Sequence, residues 1–190
     1  SEAIKNARVN PGQIATLILP GDTAWNEGSK LESVEFKSSS NKVSADLIQE
    51  GIEALKNEKN PLILVGGAAL EEKNLIKIAK IADKMNCPIK TDWFNARLDK
   101  GAGRINSVRI PYVVDNAVEV LKSFDTILII GARRPVAFFE YPNKPGVLTQ
   151  DSAKFVELAS LSDDITDVIE KLSDKIGVSN IVPSTRTELK

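Results

Sequence analysis

The sequence predicts an α/β protein with a Rossmann-like, doubly wound and mostly parallel sheet that carries helices on both faces. Two runs, Leu62–Val65 and Thr126–Ile130, are apolar throughout and show no polar alternation, which is typical of strands covered on both faces. Segments with helical periodicity separate these runs, and such alternation builds a parallel sheet through right-handed crossovers. A glycine follows each run directly, at Gly66 and Gly131, as at a tight strand-to-helix turn.

The first 43 residues look different from the rest of the chain. A short, partly helical entry precedes Pro11-Gly12, and Ile14–Leu19 (IATLIL) predicts a buried strand. A polar loop with Trp25 follows, and Ser38–Asn41 has the composition of a linker. An isolated strand before a linker suggests that residues 1–43 are the tail of a preceding N-terminal domain plus a linker.

Residues 44–177 form the predicted central Rossmann-like domain. Ser44 is a good N-cap for a helix over Ala45–Lys56, Ser162 is expected to cap the last helix, and Gly177 is expected to end it. Residues 178–190 are expected to form a frayed C-terminal tail or linker. The remaining predicted elements are a helix containing Leu75 and Ile78, a strand Cys87–Thr91, a loop Asp92–Arg109, a helix after Pro111 and a strand Phe155–Leu158.

Composition excludes several classes of function. The 190 residues include 25 basic and 26 acidic side chains, giving a net charge of −1 without a basic tract, so we expect neither nucleic-acid nor membrane binding. No apolar run approaches a membrane span and no signal peptide is seen, so we expect a cytoplasmic location. The absence of histidine excludes Ser-His-Asp and Cys-His catalysis. Cys87, the single cysteine, fits a small buried residue better than a nucleophile.

The carboxyl ends of the strands are the first place to expect a ligand, because open α/β sheets bind ligands there. Gly66-Gly67 could admit a ligand or simply form a tight turn; the third glycine of the dinucleotide fingerprint is missing, and Glu71 and Glu72 would repel a diphosphate. Arg133-Arg134 could bind an anion, or be solvated or ion-paired.

Other residues at these strand ends also leave two interpretations open. Phe138, Phe139 and Tyr141 could form a rigid lid or an interdomain contact, of which we favour the contact. Trp93-Phe94 could line a pocket or pack a long loop. Asp92 and Asp99 could serve acid–base chemistry, although turn capping is the simpler role.

The chain resembles the central domain of thiamine-diphosphate-dependent enzymes of the acetolactate synthase large-subunit type. Four stretches carry the resemblance: PGQIATLILPGDTAW (11–25), PLILVGGAAL (61–70), DTILIIGAR (125–133) and AFFEYPNKP (137–145). The first is similar to the strand and exit loop that close the family's N-terminal domain. The second and third are similar to strands of the central domain with their glycine ends, and the fourth is similar to a loop found in one subgroup.

The resemblance implies that the catalytic residues lie outside this chain. Family members bind thiamine diphosphate and Mg²⁺ between their first and third domains, using a glutamate and a Gly-Asp-Gly…Asn-Asn segment. In this chain Gly21-Asp22 is followed by Thr23 instead of glycine, so this stretch does not match the Gly-Asp-Gly segment. The implied parent is a transferase that decarboxylates and joins 2-oxo acids, and the implied partners are its other domains and subunits in a homo-oligomer.

The resemblance also implies a possible FAD site in the central domain. Gly66, Gly67 and Ala68 match the family's glycine run, with alanine in place of the third glycine, and Gly131, Ala132 and Arg133 match a Gly-Ala-Arg that contacts FAD. The sequence after Arg133 departs from the family pattern, which expects acidic residues and a further arginine.

The sequence therefore leaves three functions open. The first is a non-catalytic central domain acting as a scaffold, with a possible FAD or nucleotide site. The second is a stand-alone nucleotide- or flavin-binding module, which a bound yellow chromophore would favour. The third is a small complete α/β enzyme, against which the missing histidine and the unpaired carboxylates count.

Overall fold

A computed structural model describes residues 2–28 and 40–188. The chain divides into two compact units, Ser1–Asn41 and Lys42–Lys190. No helix within the described residues is both long enough and apolar enough to cross a membrane.

The first unit contains little regular structure. Helix α1 spans Glu2–Ala7, in agreement with the predicted helical entry, and Gly21–Ala24 forms a single 3₁₀ turn. The strand predicted at Ile14–Leu19 is wrong: the segment has no regular secondary structure, and Ile14 and Ile18 are 96% and 82% exposed. A strand requires a hydrogen-bonded neighbour, and the described part of this unit provides none. The predicted linker at Ser38–Asn41 begins outside the described residues.

The second unit is built on a five-stranded sheet that is parallel throughout, which confirms the predicted fold class. The strands are β1 (Pro61–Val65), β2 (Ile89–Thr91), β3 (Val108–Arg109), β4 (Thr126–Ile130) and β5 (Lys154–Ala159). Their order across the sheet is β3-β2-β1-β4-β5, with each neighbouring pair parallel. The two-residue strand β3 lies inside the stretch predicted as a loop.

Helices cover both faces of this sheet. The helices of the second unit are α2 (Ala45–Asn57), α3 (Glu72–Met85), α4 (Val114–Leu121) and α5 (Ile165–Ile176). One face of the sheet, with Ile63 and Val65, packs against α2, α3 and α5, and the other face, with Leu62 and Leu64, packs against α4. Because successive residues of β1 point to opposite faces, its unbroken apolar run serves both cores.

The ends of the helices follow the expected chemistry with two corrections. The Ser44 hydroxyl accepts the Leu47 N–H at 3.2 Å, and Gly177 ends α5 with φ +77°, both as predicted. The cap of α5 is Asp164 rather than Ser162, because the Asp164 carboxylate accepts the Asp167 N–H at 3.1 Å. Helix α3 does not follow the glycines at once, since a 3₁₀ turn over Gly67–Leu70 lies between.

The tail after Gly177 is packed rather than frayed. Val178 is fully buried, and the Ser184 N–H and hydroxyl donate to the carboxylate of Asp83 on α3 at 2.7 and 2.8 Å. Backbone bonds join the tail to the loop before β3, such as Asn106 N–H to the Thr185 carbonyl at 2.7 Å. The long loop and the tail therefore satisfy each other's backbone groups.

Candidate functional site

The six predicted site residues lie side by side at one end of the sheet. Gly66, Gly67 and Ala68 follow β1, while Gly131, Ala132 and Arg133 follow the neighbouring strand β4; we call these six residues the glycine edge. The Gly66 N–H donates to the Ile130 carbonyl at 3.0 Å, and the Gly131 N–H donates to the Ala159 carbonyl at 2.7 Å. The sheet therefore uses both of these amide groups.

The missing side chains of Gly66 and Gly131 allow the two turns to touch each other. A Cβ on Gly66 would collide with the carbonyl oxygen of Gly131, and a Cβ on Gly131 would lie 2.6 Å from the carbonyl oxygen of Gly66. Gly131 also has φ +66°, a conformation that favours glycine. These two glycines thus serve the close approach of one backbone to the other.

Gly67 faces side chains from the segment that follows β5. A Cβ on Gly67 would lie 2.5 Å from Leu161 Cδ2 and 3.6 Å from Ile165 Cδ1. Within the turn, the Ala68 carbonyl accepts a hydrogen bond from Asn74 Nδ2 at 2.8 Å, and the same group donates to Thr166 Oγ1 at 3.1 Å. The glycine turn is therefore tied to both α3 and α5.

The first turn of α3 is capped by a carboxylate from the long loop. Asp99 Oδ2 accepts the Glu72 N–H at 2.9 Å, and Asp99 Oδ1 lies 3.1 Å from Arg97 Nε. Arg104 lies 3.8 Å from Asp99 and 3.3 Å from Glu72. The Glu72 N–H, followed by Arg97, lowers the pKa of Asp99 below its usual range. Asp99 thus caps the first turn of α3, as the capping interpretation predicted.

The two arginines after β4 behave differently. Arg134 Nε lies 2.6 Å from Glu157 Oε1, and its guanidinium carbon lies 4.6 Å from the centroid of the Phe155 ring. Arg133 is exposed, and no described residue forms a salt bridge with it. Of the predicted anion-binding pair, only Arg133 is therefore free to meet a ligand.

A cavity of about 300 Å³ lies beyond the ends of β4 and β5. Ala132 is the one residue of the glycine edge that lines it, beside Ser44, Glu157, Asp163 and Lys42. Its charged groups already have partners: Asp163 accepts from the Ser160 N–H and hydroxyl at 2.7 Å each, and Lys42 bonds to Asp164 at 2.9 Å. The charged groups that line the cavity are therefore largely engaged within the protein and not available to a ligand.

A second region at the carboxyl ends of the strands is a continuous cluster of aromatic rings, carried by the loops after β2, β3 and β4. The cluster, which we call the aromatic surface, consists of Trp93, Phe94, Tyr112, Phe138, Phe139 and Tyr141. Successive ring centroids are 4.5–6.3 Å apart, at separations typical of attractive aromatic pairs. All of the rings except Trp93 are between 41% and 63% exposed. The loop after β4 is thus part of a broad apolar surface.

Trp93 anchors the aromatic surface to the fold. Its indole N–H donates to the carbonyl oxygens of Ile110 and Pro111 at 2.8 and 3.1 Å. The preceding residue, Asp92, accepts the Trp93 N–H at 2.6 Å, so its carboxylate fixes a turn, as predicted. Trp93 therefore packs the long loop, while Phe94 beside it is exposed.

The described residues offer no candidate metal site. They contain no cluster of three or more Cys, Asp or Glu side chains that could hold a metal ion. Cys87 is buried, and burial followed by the charge of Asp83 raises the pKa of its thiol to about 12, as fits a core residue.

Two features of this region escaped the sequence analysis. Leu161, which covers Gly67, lies about 94 residues further along the chain, and no local sequence pattern predicts such a contact. The extent of the aromatic surface was also missed, because it joins three loops that are separate in sequence. The Phe138–Tyr141 stretch and Trp93-Phe94 each gave a signal, but nothing in the sequence joined them or pointed to Tyr112.

Comparison with known proteins bears on these observations. No family model matches the chain. A Mycobacterium tuberculosis protein named "Putative acetolactate synthase large subunit IlvX" is 28% identical over 184 residues, covering 96% of this chain and 35% of that protein. The chain thus spans about a third of the length of this relative.

Solved structures also match the fold. One titled "putative thiamin diphosphate-dependent enzyme", from Mycobacterium smegmatis, covers the whole chain and 39% of its own length, with TM-score 0.65 and 16% identity. A Rhodococcus jostii thiamine diphosphate-dependent 4-hydroxybenzoylformate decarboxylase covers 90% of this chain and 33% of its own, with TM-score 0.54 and 20% identity. The sequence match and the shared fold confirm the predicted resemblance to part of such enzymes.

Proposed function

We propose that this chain is the central, non-catalytic domain of an acetolactate-synthase-like, thiamine-diphosphate-dependent enzyme, in which it acts as a scaffold between the catalytic domains. The observation that carries the proposal is the sequence match, which extends over nearly the whole chain but over only 35% of a longer relative. The reaction of the parent enzyme would be decarboxylation of a 2-oxo acid followed by carboligation. Thiamine diphosphate and Mg²⁺ would be held by the domains on either side.

The aromatic surface supports the scaffold role, because it is a ready contact for a neighbouring domain. Its five exposed rings would be costly to leave in water, and aromatic residues are enriched at the cores of interfaces. The exposed apolar side chains of Ile14, Ile18 and Trp25 in the first unit are a second candidate contact. Residues 1–43 would then complete the preceding domain, residues 44–177 would form the central domain, and residues 178–190 would lead onward.

The second candidate is a nucleotide- or flavin-binding module, whose ligand would contact the glycine edge. One observation favours it: Arg133 is exposed at the end of β4 without a salt bridge to any described residue. An arginine in that position could pair with a phosphate group. The scaffold role itself requires no bound nucleotide.

An activity assay tests the non-catalytic role. The purified chain is mixed with pyruvate, thiamine diphosphate and Mg²⁺, and both carbon dioxide and acetolactate are measured. We expect no turnover above the rate without protein, because no residue of the chain is proposed to bind the thiamine cofactor. Turnover that scales with the concentration of the chain would contradict the proposal and favour a complete enzyme.

A further inference from the structure

The glycine edge lies where a flavin would bind if the resemblance to acetolactate synthases extended to their cofactor, so its geometry can be tested against a dinucleotide. A dinucleotide site on a parallel sheet needs two things: glycines that let the pyrophosphate approach the backbone, and a helix N-terminus with free N–H groups. Neither requirement is met by the described residues of this edge.

The space beside the glycines is occupied by the protein itself. Gly66 and Gly131 lie so close that a Cβ on either would collide with the other's carbonyl oxygen. Leu161 covers Gly67, with Cδ2 only 2.5 Å from the position of a Cβ. A pyrophosphate could reach these glycines only if the two turns separated and Leu161 moved away.

The helix N-terminus is also occupied. The Asp99 carboxylate accepts the Glu72 N–H at 2.9 Å and lies beside Arg97 and Arg104, so it takes the position that a phosphate oxygen would take. A bound phosphate would have to displace this carboxylate and tolerate Glu72 on the same turn. The 3₁₀ turn over Gly67–Leu70 further separates the glycines from this helix end.

The neighbouring cavity does not replace the closed edge. Its volume of about 300 Å³ is at the lower limit for a drug-sized ligand and is small for FAD. The carboxylates of Glu157 and Asp163 line it, and the lining cation Lys42 is already paired with Asp164, so the cavity offers a diphosphate no unpaired positive charge.

From these contacts we infer that the glycine edge is closed to a dinucleotide cofactor by the chain's own residues, with Leu161 over the glycine turn and Asp99 on the first turn of α3. The edge serves internal packing, and the domain functions without a flavin. This inference is independent of the scaffold role, which would stand whether or not a nucleotide bound.

The direct test is a titration of the 190-residue chain with ADP and with FAD, followed by backbone amide NMR. We expect no saturable shift at the amides of Gly66, Gly67, Ala68, Gly131, Ala132 or Arg133 up to millimolar nucleotide, and no flavin absorbance in the purified protein. Saturable shifts at these amides would overturn the inference, even if the chain proved to be catalytically inactive.

A variant tests the closing contact at Asp99. In Asp99→Ala, the Glu72 amide loses its acceptor, so its hydrogen exchange should quicken by at least about tenfold. Asp151→Ala, which removes an exposed carboxylate elsewhere, should leave that rate unchanged. If Asp99→Ala does not fold, Asp99→Asn keeps an acceptor without the charge and should show a smaller increase. Unchanged exchange of Glu72 in a folded Asp99 variant would contradict the proposed cap.

Discussion

The glycine edge and the aromatic surface both follow the carboxyl ends of strands in the same sheet, yet they face their surroundings in opposite ways. At the glycine edge, Gly66 and Gly131 contact each other, and Leu161 covers Gly67. At the aromatic surface, six rings contact one another and five of them remain about half exposed. The position that this fold commonly gives to a ligand is thus used for internal packing, and the exposed apolar area lies on the loops beside it.

The size of the aromatic surface indicates the kind of contact it can make. A fully buried aromatic side chain covers about 150–250 Å², so five rings at the observed exposures offer roughly 400–650 Å². Burying that area would contribute at most roughly 10–16 kcal/mol on the transfer scale, whereas two free molecules lose about 4–15 kcal/mol on associating, in addition to the cost of ordering side chains. Contact should therefore be weak between separate molecules and firm when a linker raises the local concentration, as between domains of one polypeptide.

The largest expected effect is at the glycine edge. In Gly131→Ala, the new methyl group would meet the Gly66 carbonyl and Ile165 and would occupy a backbone with φ +66°. Overpacking and the left-handed conformation together should lower the free energy of unfolding by about 3 kcal/mol, measured by urea denaturation. Gly146→Ala is the matched control, because its Cβ would meet no atom within 4 Å. Equal free energies of unfolding for the two variants would mean that Gly131 does not pack closely against Gly66 and that the edge is open.

A smaller effect is expected where the aromatic surface joins the fold. Trp93→Phe keeps a ring but removes the indole N–H that donates to Ile110 and Pro111. The loss of one bifurcated hydrogen bond should cost about 1 kcal/mol, measured in the same denaturation assay. Trp25→Phe makes the same change on a side chain that is 88% exposed and should have almost no effect. A similar loss in both variants would argue against the anchoring role.

Acid should loosen the first turns of α3 and α5, the helices that pack against the glycine edge. Hydrogen bonds from the Glu72 N–H to Asp99 and from Lys42 to Asp164 lower the pKa of each of these carboxyls below the ordinary 3.8. Each carboxylate therefore stabilises the fold fully above about pH 3.8, and this contribution is lost as the pH falls through the lowered folded pKa. Thermal melting should be constant from pH 7 to 5 and fall below pH 4. Asp99→Asn should weaken this acid dependence, and an unchanged profile would exclude Asp99 as a contributor.

The smallest change is expected at Cys87, a buried core residue that precedes β2. Burial raises the pKa of its thiol to about 12, so the native chain should react with a thiol reagent at pH 7 far more slowly than the unfolded chain does. Phe138→Ser should leave this rate unchanged, while Gly131→Ala should increase it. An increase of the same size in both would mean that the two regions are equally coupled to the core.

The sequence predicted the regular parts of the fold because their signals are local. The unbroken apolar runs gave β1 and β4, and Gly177 gave the end of α5. The strand expected at Ile14–Leu19 failed because an apolar run alone does not provide a pairing neighbour. A two-residue strand such as β3 is too short to show a pattern.

The sequence predicted where the candidate site lies, but not that the chain's own residues close it. The glycines and Arg133 lie at the expected strand ends, whereas the closure of the edge depends on contacts between distant segments. Asp99 reaches the first turn of α3 from a loop 27 residues further along the chain, and Leu161 reaches Gly67 from beyond β5. Such contacts follow from the topology of the sheet and have no signature in local sequence.

Sedimentation velocity tests most directly whether the aromatic surface is the contact surface of this domain. The wild-type chain should associate weakly as its concentration rises, and the double variant Phe138→Ser/Phe139→Ser should weaken this association by at least about tenfold while it keeps its stability. Val182→Ser, which changes an exposed apolar residue outside the surface, should behave as the wild type does. A wild-type chain that stays monomeric at high concentration, or association that the double variant leaves unchanged, would contradict the account.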